Sequence, residues 1–393
     1  MIYLDAAATT PVRREVLEAM WPYLTESFGN PSSRHSLGDG AARALKQSRE
    51  RVAAVLGCRP NEIIFTSGGT EADNLALKGI ALATPHGRRI LTTPIEHEAV
   101  LATCDFLHRH HGFSIDFLPV DHQGLLNPQD IERALGQHPD TTLVSVMLAN
   151  NEVGTIQPVA EIGRMAHTYG IPFHTDAVQA CGTLPIRVPD LGADAISLSG
   201  HKLGAPKGIG ALYLRARVAA EPVLHGGGQE RNRRSGTENV AGAVAFATAL
   251  ELTAGELPLT TPHLTDLRDQ LIQGILTAVP DALLTGHPTQ RLPNNASFCF
   301  PRTGGEAVLL ALEERGILCS SGSACAAGSD DPSHVLTAMG YPRELAQTAV
   351  RFTLPHTTTQ AEVAQTIAAT RDAVAAVGGL RSLQATSLHT HGR

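Results

Sequence analysis

A lysine stands at the end of an apolar stretch. Residues 193–196 lead into Ser197-Leu198-Ser199-Gly200-His201-Lys202, and Leu203-Gly204-Ala205-Pro206-Lys207-Gly208 follows. The apolar run reads as a buried strand. Desolvation at its end disfavours the ammonium form, which makes the Lys202 amine available as a nucleophile or base. The bland alternative is a surface charge, and the neighbouring clusters weigh against it. Ser67-Gly68-Gly69-Thr70-Glu71 joins a short apolar run (residues 63–66) to a helical pattern. Its glycines let backbone N–H groups approach an anion, and the helix N-terminus adds a favourable dipole. The stretch matches neither the dinucleotide fingerprint nor the nucleotide-phosphate loop, so the choice is a single phosphate or an ordinary turn.

Three further clusters each have two readings. Asp176 closes Pro172-Phe173-His174-Thr175-Asp176. A carboxylate at the mouth of a buried strand needs a cationic partner, either a salt bridge or a protonated ring nitrogen on a ligand. Gln179, one turn on, can reach the same ligand. His97, in Glu96-His97-Glu98-Ala99-Val100, either caps a helix or offers a flat face for stacking. Asn150-Asn151-Glu152-Val153-Gly154 either reads a ligand oxygen or caps a turn. Together the clusters supply a lysine, a strand-end carboxylate, a flat-faced histidine and an anion loop. Pyridoxal 5'-phosphate requires that set: an amine to hold it, a carboxylate to keep its pyridine nitrogen protonated, and a cradle for its phosphate.

The elements that must position these residues alternate. Apolar strands are expected at 63–66, 89–92, 113–120, 143–148, 172–178, 193–198 and 210–214, with helical patterns between them. Uniformly apolar strands separated by helices indicate a mostly parallel sheet covered on both faces. Ligands of such sheets sit at the carboxyl ends of the strands, where every cluster above falls. Residues 1–37 read as loop-rich. Beyond about residue 255 the pattern changes to a smaller α+β unit, with a long helix over 263–279, strands at 296–300, 317–319 and 349–354, and a last helix over 360–377. The expected division is a large domain over 14–255, a small domain from 1–13 and 256–377, and a polar tail over 378–393.

Composition narrows the function classes. The 393 residues are 42% hydrophobic and only 4% aromatic, enough for two aliphatic cores. A net charge of −7 argues against nucleic acid or an anionic membrane surface as partner. No run reads as long and apolar enough to span a bilayer, and Met1-Ile2-Tyr3-Leu4-Asp5 shows no basic-then-apolar leader, so a cytoplasmic location is expected. Six scattered cysteines lack any Cys-x-x-Cys spacing, and neither a disulfide framework nor a metal site is expected. Five sit among apolar neighbours and read as small core fillers. Cys325 differs. It lies in Ser320-Ser321-Gly322-Ser323-Ala324-Cys325-Ala326-Ala327-Gly328-Ser329-Asp330-Asp331-Pro332, a small, polar, Gly-containing stretch. A thiol there is an oxidation liability unless it is used.

The chain resembles the cysteine desulfurases of the class V pyridoxal-phosphate-dependent aminotransferase family. The resemblance runs from Tyr3-Leu4-Asp5 to about Val377. It rests on Ser-Gly-His-Lys, His-Thr-Asp-Ala-Val-Gln, Ala-Asn-Asn-Glu-Val-Gly, His225-Gly226-Gly227-Gly228-Gln229-Glu230 and Arg234-Ser235-Gly236-Thr237, in that family's order. It implies the fold-type-I architecture and a homodimer. By matching position, Lys202 looks like the lysine that forms the imine with the cofactor, and Asp176 like the pyridine-nitrogen partner. His97 resembles the ring-stacking histidine, with a possible part in proton transfer. Asn151 and Gln179 resemble contacts on the ring-oxygen side. Gly69, Thr70, Ser199 and His201 match phosphate binders, and Thr237 matches a phosphate contact given to the neighbouring subunit. Arg351 looks like the clamp on the substrate carboxylate, with Asn30 near it; an arginine fork suits that task. Cys325 matches the nucleophile that takes sulfur from L-cysteine as a persulfide.

The loop length is similar to that of the longer-loop group serving iron–sulfur assembly. Leu203-Gly204-Ala205 departs from the aromatic or histidine that many relatives carry there. The C-terminal tail does not resemble the segment that relatives use to dock a cluster scaffold, so the sulfur acceptor stays open between an iron–sulfur scaffold and a thiolation carrier. Transamination, selenocysteine lysis and a non-catalytic scaffold are the competing readings.

Overall fold

The computed structural model describes residues 1–83, 87–322 and 331–390. Its main sheet has seven strands. In spatial order they are Ile63–Thr66, Gly210–Leu214, Ala195–Ser199, Phe173–Asp176, Thr141–Ser145, Arg89–Thr92 and Ser114–Phe117. The last five are parallel to their neighbours, while Gly210–Leu214 is antiparallel to both strands beside it. Two reversals restore direction, so Ile63–Thr66 points the same way as Ala195–Ser199. The carboxyl ends of all six like-directed strands therefore lie along one edge. Burial explains the strand sequences: every residue of Ile63–Thr66, Thr141–Ser145, Phe173–Asp176 and Ala195–Ser199 is buried. Helices cover both faces, as the α/β expectation required. The strands at 63–66, 89–92 and 210–214 have the expected bounds, whereas those expected at 113–120, 143–148, 172–178 and 193–198 run over 114–117, 141–145, 173–176 and 195–199.

A second, three-stranded antiparallel sheet has Asn295–Cys299 at its centre, with Ala349–Thr353 and Leu283–Thr285 on either side. Its aromatic core is Phe298, Phe300 and Phe352; Phe298 stacks on Phe300 at 5.9 Å and meets Phe352 edge-on at 6.2 Å. The N-terminal strand Ile2–Tyr3 pairs in parallel with Ile317–Leu318 and packs into the same core.

Two helices escaped the sequence reading. Arg14–Thr25 lies in the stretch expected to be loop; it carries Pro22 and buries only Val16, so its apolar residues make no buried stripe. Val240–Ala278 is one continuous helix of 39 residues where only 263–279 was expected. Pro258 and Pro262 lie inside it and look like punctuation in the sequence. They fall between its two buried stretches, one against the main sheet through Ala243 and Phe246 and one in the small-sheet core through Leu267 and Leu271. The expected boundary at residues 255 and 256 thus falls within a helix shared by both cores. The expectation that no run could span a bilayer also needs correction. This helix is long and apolar enough to do so by length and composition. Its apolar surface is used inside the fold, where 61% of the most apolar window is buried. The last helix, Gln360–Thr390, continues into the region expected as a polar tail.

The small sheet holds Arg351 opposite Ser297, one register step from Phe298. Phe298→Ala should leave a cavity among three aromatic rings and cost about 3–5 kcal/mol of stability. Urea denaturation checks this; a loss under 1 kcal/mol would mean the core collapses freely around the site.

Candidate active site

The shared strand edge brings the candidates together. Ala195–Ser199 ends in a 3-10 turn, Gly200–Lys202, so Lys202 follows the strand rather than ending it, and it is partly exposed. Its Nζ donates to the carbonyls of Ala7 and, at 2.9 Å, Ala8. Asp176 ends the adjacent strand, in register with Ser197. Gln179 Nε2 donates to the same Ala7 carbonyl at 3.0 Å.

At the mouth of Ile63–Thr66 the Gly-rich stretch opens the helix Gly69–Ala83. Gly69 is required for packing: a Cβ there would stand 2.8 Å from Val178 Cγ2 and 3.5 Å from Ser199 Cβ. Its backbone therefore lies against the turn after Asp176 and against Ser199. Ser67 N–H donates to Glu71 at 2.8 Å, and Arg234 grips Glu71 at 2.7 and 3.2 Å. This fixes the stretch to the segment that carries Thr237. Thr70 is exposed. His201 shares a hydrogen bond with Thr9 Oγ1 at 3.2 Å; burial, then the Lys202 and Lys207 charges, pulls its pKa down to about 4.

Asp176 is 6% exposed and accepts from Val178 N–H at 2.8 Å. Burial pushes its carboxyl up, against the charges of His97 and Lys202 and the Val178 hydrogen bond. Beneath it lies a fully buried polar layer. His174, two residues earlier on the same strand face, shares hydrogen bonds with Ser145 at 2.9 Å and Ser197 at 3.0 Å. Burial lowers its pKa to about 3, so its ring is neutral. Asp73 is buried beside it, its Oδ1 3.6 Å from His174 Nε2 and without a hydrogen-bond partner among the described residues. Burial first, then the Asp176 charge, pushes Asp73 well above the usual carboxylate range. Glu96 is wholly buried. Its Oε1 accepts from Thr93 at 2.7 Å and Met147 N–H at 3.0 Å, while Oε2 has no partner among the described residues.

His97 is a helix cap: its ring accepts from Ala99 N–H at 3.1 Å. The two asparagines divide the roles. Asn150 is buried and caps the turn, accepting from Glu152 and Val153 N–H at 2.8 and 2.9 Å. Asn151 is partly exposed, and its carbonyl accepts from Arg351 at 2.9 Å. Arg351 is 2% exposed and pairs with Asp5 at 2.9 Å; its Nε has no partner among the described residues. Asn30 and Thr237 are exposed and meet none of the other candidates; the Asn30 side chain accepts from Ser32 N–H at 2.9 Å.

Sequence reasoning missed the segment that joins these groups. Residues 5–10 thread between Lys202, Gln179 and Arg351, held by Tyr3 OH on the Asp5 and Thr9 carbonyls at 2.9 and 2.7 Å and by Thr10 on the His201 carbonyl at 2.8 Å. Its run of three alanines, which allows close backbone approach, was the available signal.

Cys325 lies outside the described residues. The described cysteines are free, and burial pushes the thiols of Cys58, Cys104, Cys181 and Cys299 up to about 12 and that of Cys319 higher still. None of the five has the depressed pKa of a nucleophilic thiol.

A parallel sheet with a lysine and a carboxylate at adjacent strand ends is the arrangement of one enzyme class. The Aminotransferase class-V family model matches residues 2–366. The chain is 48% identical over 367 residues to the cysteine desulfurase IscS of Dictyoglomus turgidum, covering 93% of this chain and 92% of that one. It is 47% identical to an IscS-like cysteine desulfurase of Mycobacterium tuberculosis, covering 92% and 93%. Among solved structures it resembles a NifS-like protein at 39% identity and TM-score 0.88, covering 95% of this chain and 99% of that one. It also resembles SspA in complex with cysteine, at 38% identity and TM-score 0.80, covering 91% and 100%. The chain belongs to the cysteine desulfurases of the class-V aminotransferase family.

Membership of that family implies use of pyridoxal phosphate. The residues present fit the group: Asp176 is a carboxyl buried at the strand edge, and Gly69 opens a helix at the same edge, whose N-terminal N–H groups suit an anion.

Burial, opposed by the Met147 and Thr93 hydrogen bonds, pushes Glu96 from 4.5 up to about 8. Across that window the folded chain keeps a proton that the unfolded chain has released. The stability Glu96 contributes is therefore complete below the unfolded value and lost as pH rises through the folded one. Glu96→Gln cannot ionise and should gain on the parent by about 2–4 kcal/mol between pH 5 and pH 8. Urea denaturation at each pH reads this; parallel curves for the two proteins would show Glu96 ionised in the fold.

Proposed function

We propose that the chain binds pyridoxal 5'-phosphate at the strand edge and uses it to move sulfur from L-cysteine to Cys325 and then to an acceptor protein. One observation carries this reading: Lys202 and Asp176 follow the carboxyl ends of neighbouring parallel strands, with Arg351 brought to them by residues 5–10. Lys202 would hold the cofactor, and Asp176 its ring nitrogen. The backbone of Gly69, with Thr70, Ser199 and His201, would take the phosphate. His97 would lie on the ring face, and Asn151 and Gln179 would meet its oxygen side. When bound, the cofactor supplies an electron sink for charge developed at the substrate's Cα.

The chain's own residues do the rest. Arg351 orients the substrate carboxylate, with Asp5 holding the fork. Asn30 would act near the same carboxylate. The Lys202 amine takes the Cα proton, with His97 as a second proton carrier. The Cys325 thiolate then attacks the substrate sulfur. A sulfur–sulfur bond forms as the substrate's carbon–sulfur bond breaks; that bond's electron pair stays on Cβ, which gains a proton, Lys202 returns a proton to Cα, and L-alanine leaves. The persulfide passes to an acceptor, an iron–sulfur scaffold in the first reading and a thiolation carrier in the second.

A second copy of the chain completes the site in this reading. Thr237 is exposed on its own chain. The helix Arg14–Thr25 and the turn after it expose Leu17, Trp21, Leu24 and Phe28, with Trp21 63% exposed. An apolar patch of that kind is commonly covered by a partner.

Cys325→Ala should keep the cofactor's absorbance and its borohydride-trapped adduct at Lys202, while alanine release from L-cysteine falls by at least about 100-fold. Sulfur release that survives the change would overturn the nucleophile assignment. Absence of any Lys202 adduct would overturn the cofactor site.

A further inference from the structure

Glu152 stands outside the proposed machinery, next to Asn151, and is 3% exposed. Its backbone is fixed at both ends: the N–H donates to Asn150 Oδ1 at 2.8 Å, and the carbonyl accepts from Asn295 Nδ2 at 3.3 Å. Its carboxyl Oε2 accepts from Ser333 Oγ at 2.5 Å. Ser333 Oγ in turn accepts from Leu336 N–H at 3.1 Å, capping the helix His334–Ala338. Gly322 lies against the same carboxyl. A Cβ at Gly322 would stand 2.6 Å from Oε2 and 3.0 Å from Glu152 Cβ. The described chain on both sides of residues 323–330 therefore converges on one buried carboxyl.

That carboxyl also faces the site. Burial pushes it up, while the Ser333 hydrogen bond and the charges of His334, Arg351 and His97 favour its ionised form. A buried carboxyl that served folding alone would not have to meet both flanks of the cysteine-bearing segment. Fixing both ends of a segment limits the volume that any side chain between them explores, which raises the effective concentration of a thiol at a nearby site.

We propose that Glu152 is the positioning residue for Cys325: its carboxyl ties Gly322 and Ser333 to the turn that carries Asn151. This rests on the reading that Cys325 is the nucleophile. The role acts on the sulfur step and not on substrate binding. A misplacement of about 1 Å costs a reaction about 100-fold, so loss of the tie should appear in the rate of persulfide formation.

The test uses the holoenzyme and L-cysteine. Single-turnover persulfide formation is read by alkylation and mass spectrometry, substrate affinity by the cofactor's absorbance, and stability by thermal melting. Glu152→Ala and Ser333→Ala should slow persulfide formation about 10- to 100-fold with L-cysteine affinity within about threefold of the parent. Glu152→Gln keeps an acceptor for Ser333 and should recover most of the rate. Gly322→Ala should be slow alone and no slower when added to Glu152→Ala, because the two changes disturb one contact. Persulfide rates within about twofold of the parent in Glu152→Ala and Ser333→Ala would overturn the proposal. So would rate losses matched by equal losses of affinity, with no recovery in Glu152→Gln. If Glu152→Ala fails to fold, Ser333→Ala decides alone. Sulfur release by Cys325→Ala would instead overturn the nucleophile reading beneath it, a failure visible in a different variant.

Discussion

The site depends on a carboxyl buried at a strand end without a full complement of positive charge. Removing a carboxylate from water costs several kcal/mol even after relaxation. Asp176 recovers part of that from one backbone N–H and from the charges of His97 and Lys202, and its carboxyl still lies above its ordinary range. The layer beneath supplies no cation. His174 is neutral, and Asp73 and Glu96 are both pushed toward their protonated forms. A ligand whose ring nitrogen carries a proton would supply positive charge there, as the proposed function requires. Three acidic side chains share one buried region because burial pushes each of them toward its protonated form.

Sheet direction turns this local constraint into a site. Residues 63–66, 173–176 and 195–199 come from separate parts of the chain, yet their carboxyl ends share an edge. The edge supplies a helix N-terminus, a carboxyl and an amine, and the buried arginine beside them, Arg351, comes from the second sheet. Residues 5–10 make the junction, touching Lys202 and Gln179 through the Ala7 carbonyl and Arg351 through Asp5. Small side chains are needed there, because backbone carbonyls must reach a lysine and a glutamine at hydrogen-bond distance.

The sequence was most legible where burial and chemistry coincide along a short stretch. Apolar runs closed by Asp176 or by Ser199-Gly200-His201-Lys202 announce both a strand and its functional end. Asn150 and Asn151 were legible as a pair but not in their division of labour, which depends on which amide faces the core. Asp5 and Glu152 were not legible at all, because their partners, Arg351 and Ser333, are distant in sequence and nothing local requires them. The helix Val240–Ala278 was half hidden for a related reason. Its prolines read locally as a stop, whereas packing on two cores sustains a continuous helix across them.

The cysteines show why the sulfur step belongs away from this packed framework. Inside the fold, a thiol loses the solvation that its charged form needs, and the buried cysteines stay protonated far above neutral pH. The packing that builds the strand edge and keeps Glu96 protonated would therefore silence a nucleophilic sulfur placed within it. Along the sequence Cys325 has alanines on both sides, and serines and a glycine beyond them. Attachment must then be separated from burial. A carboxyl that grips the chain at Gly322 and at Ser333, before and after the cysteine, meets both demands.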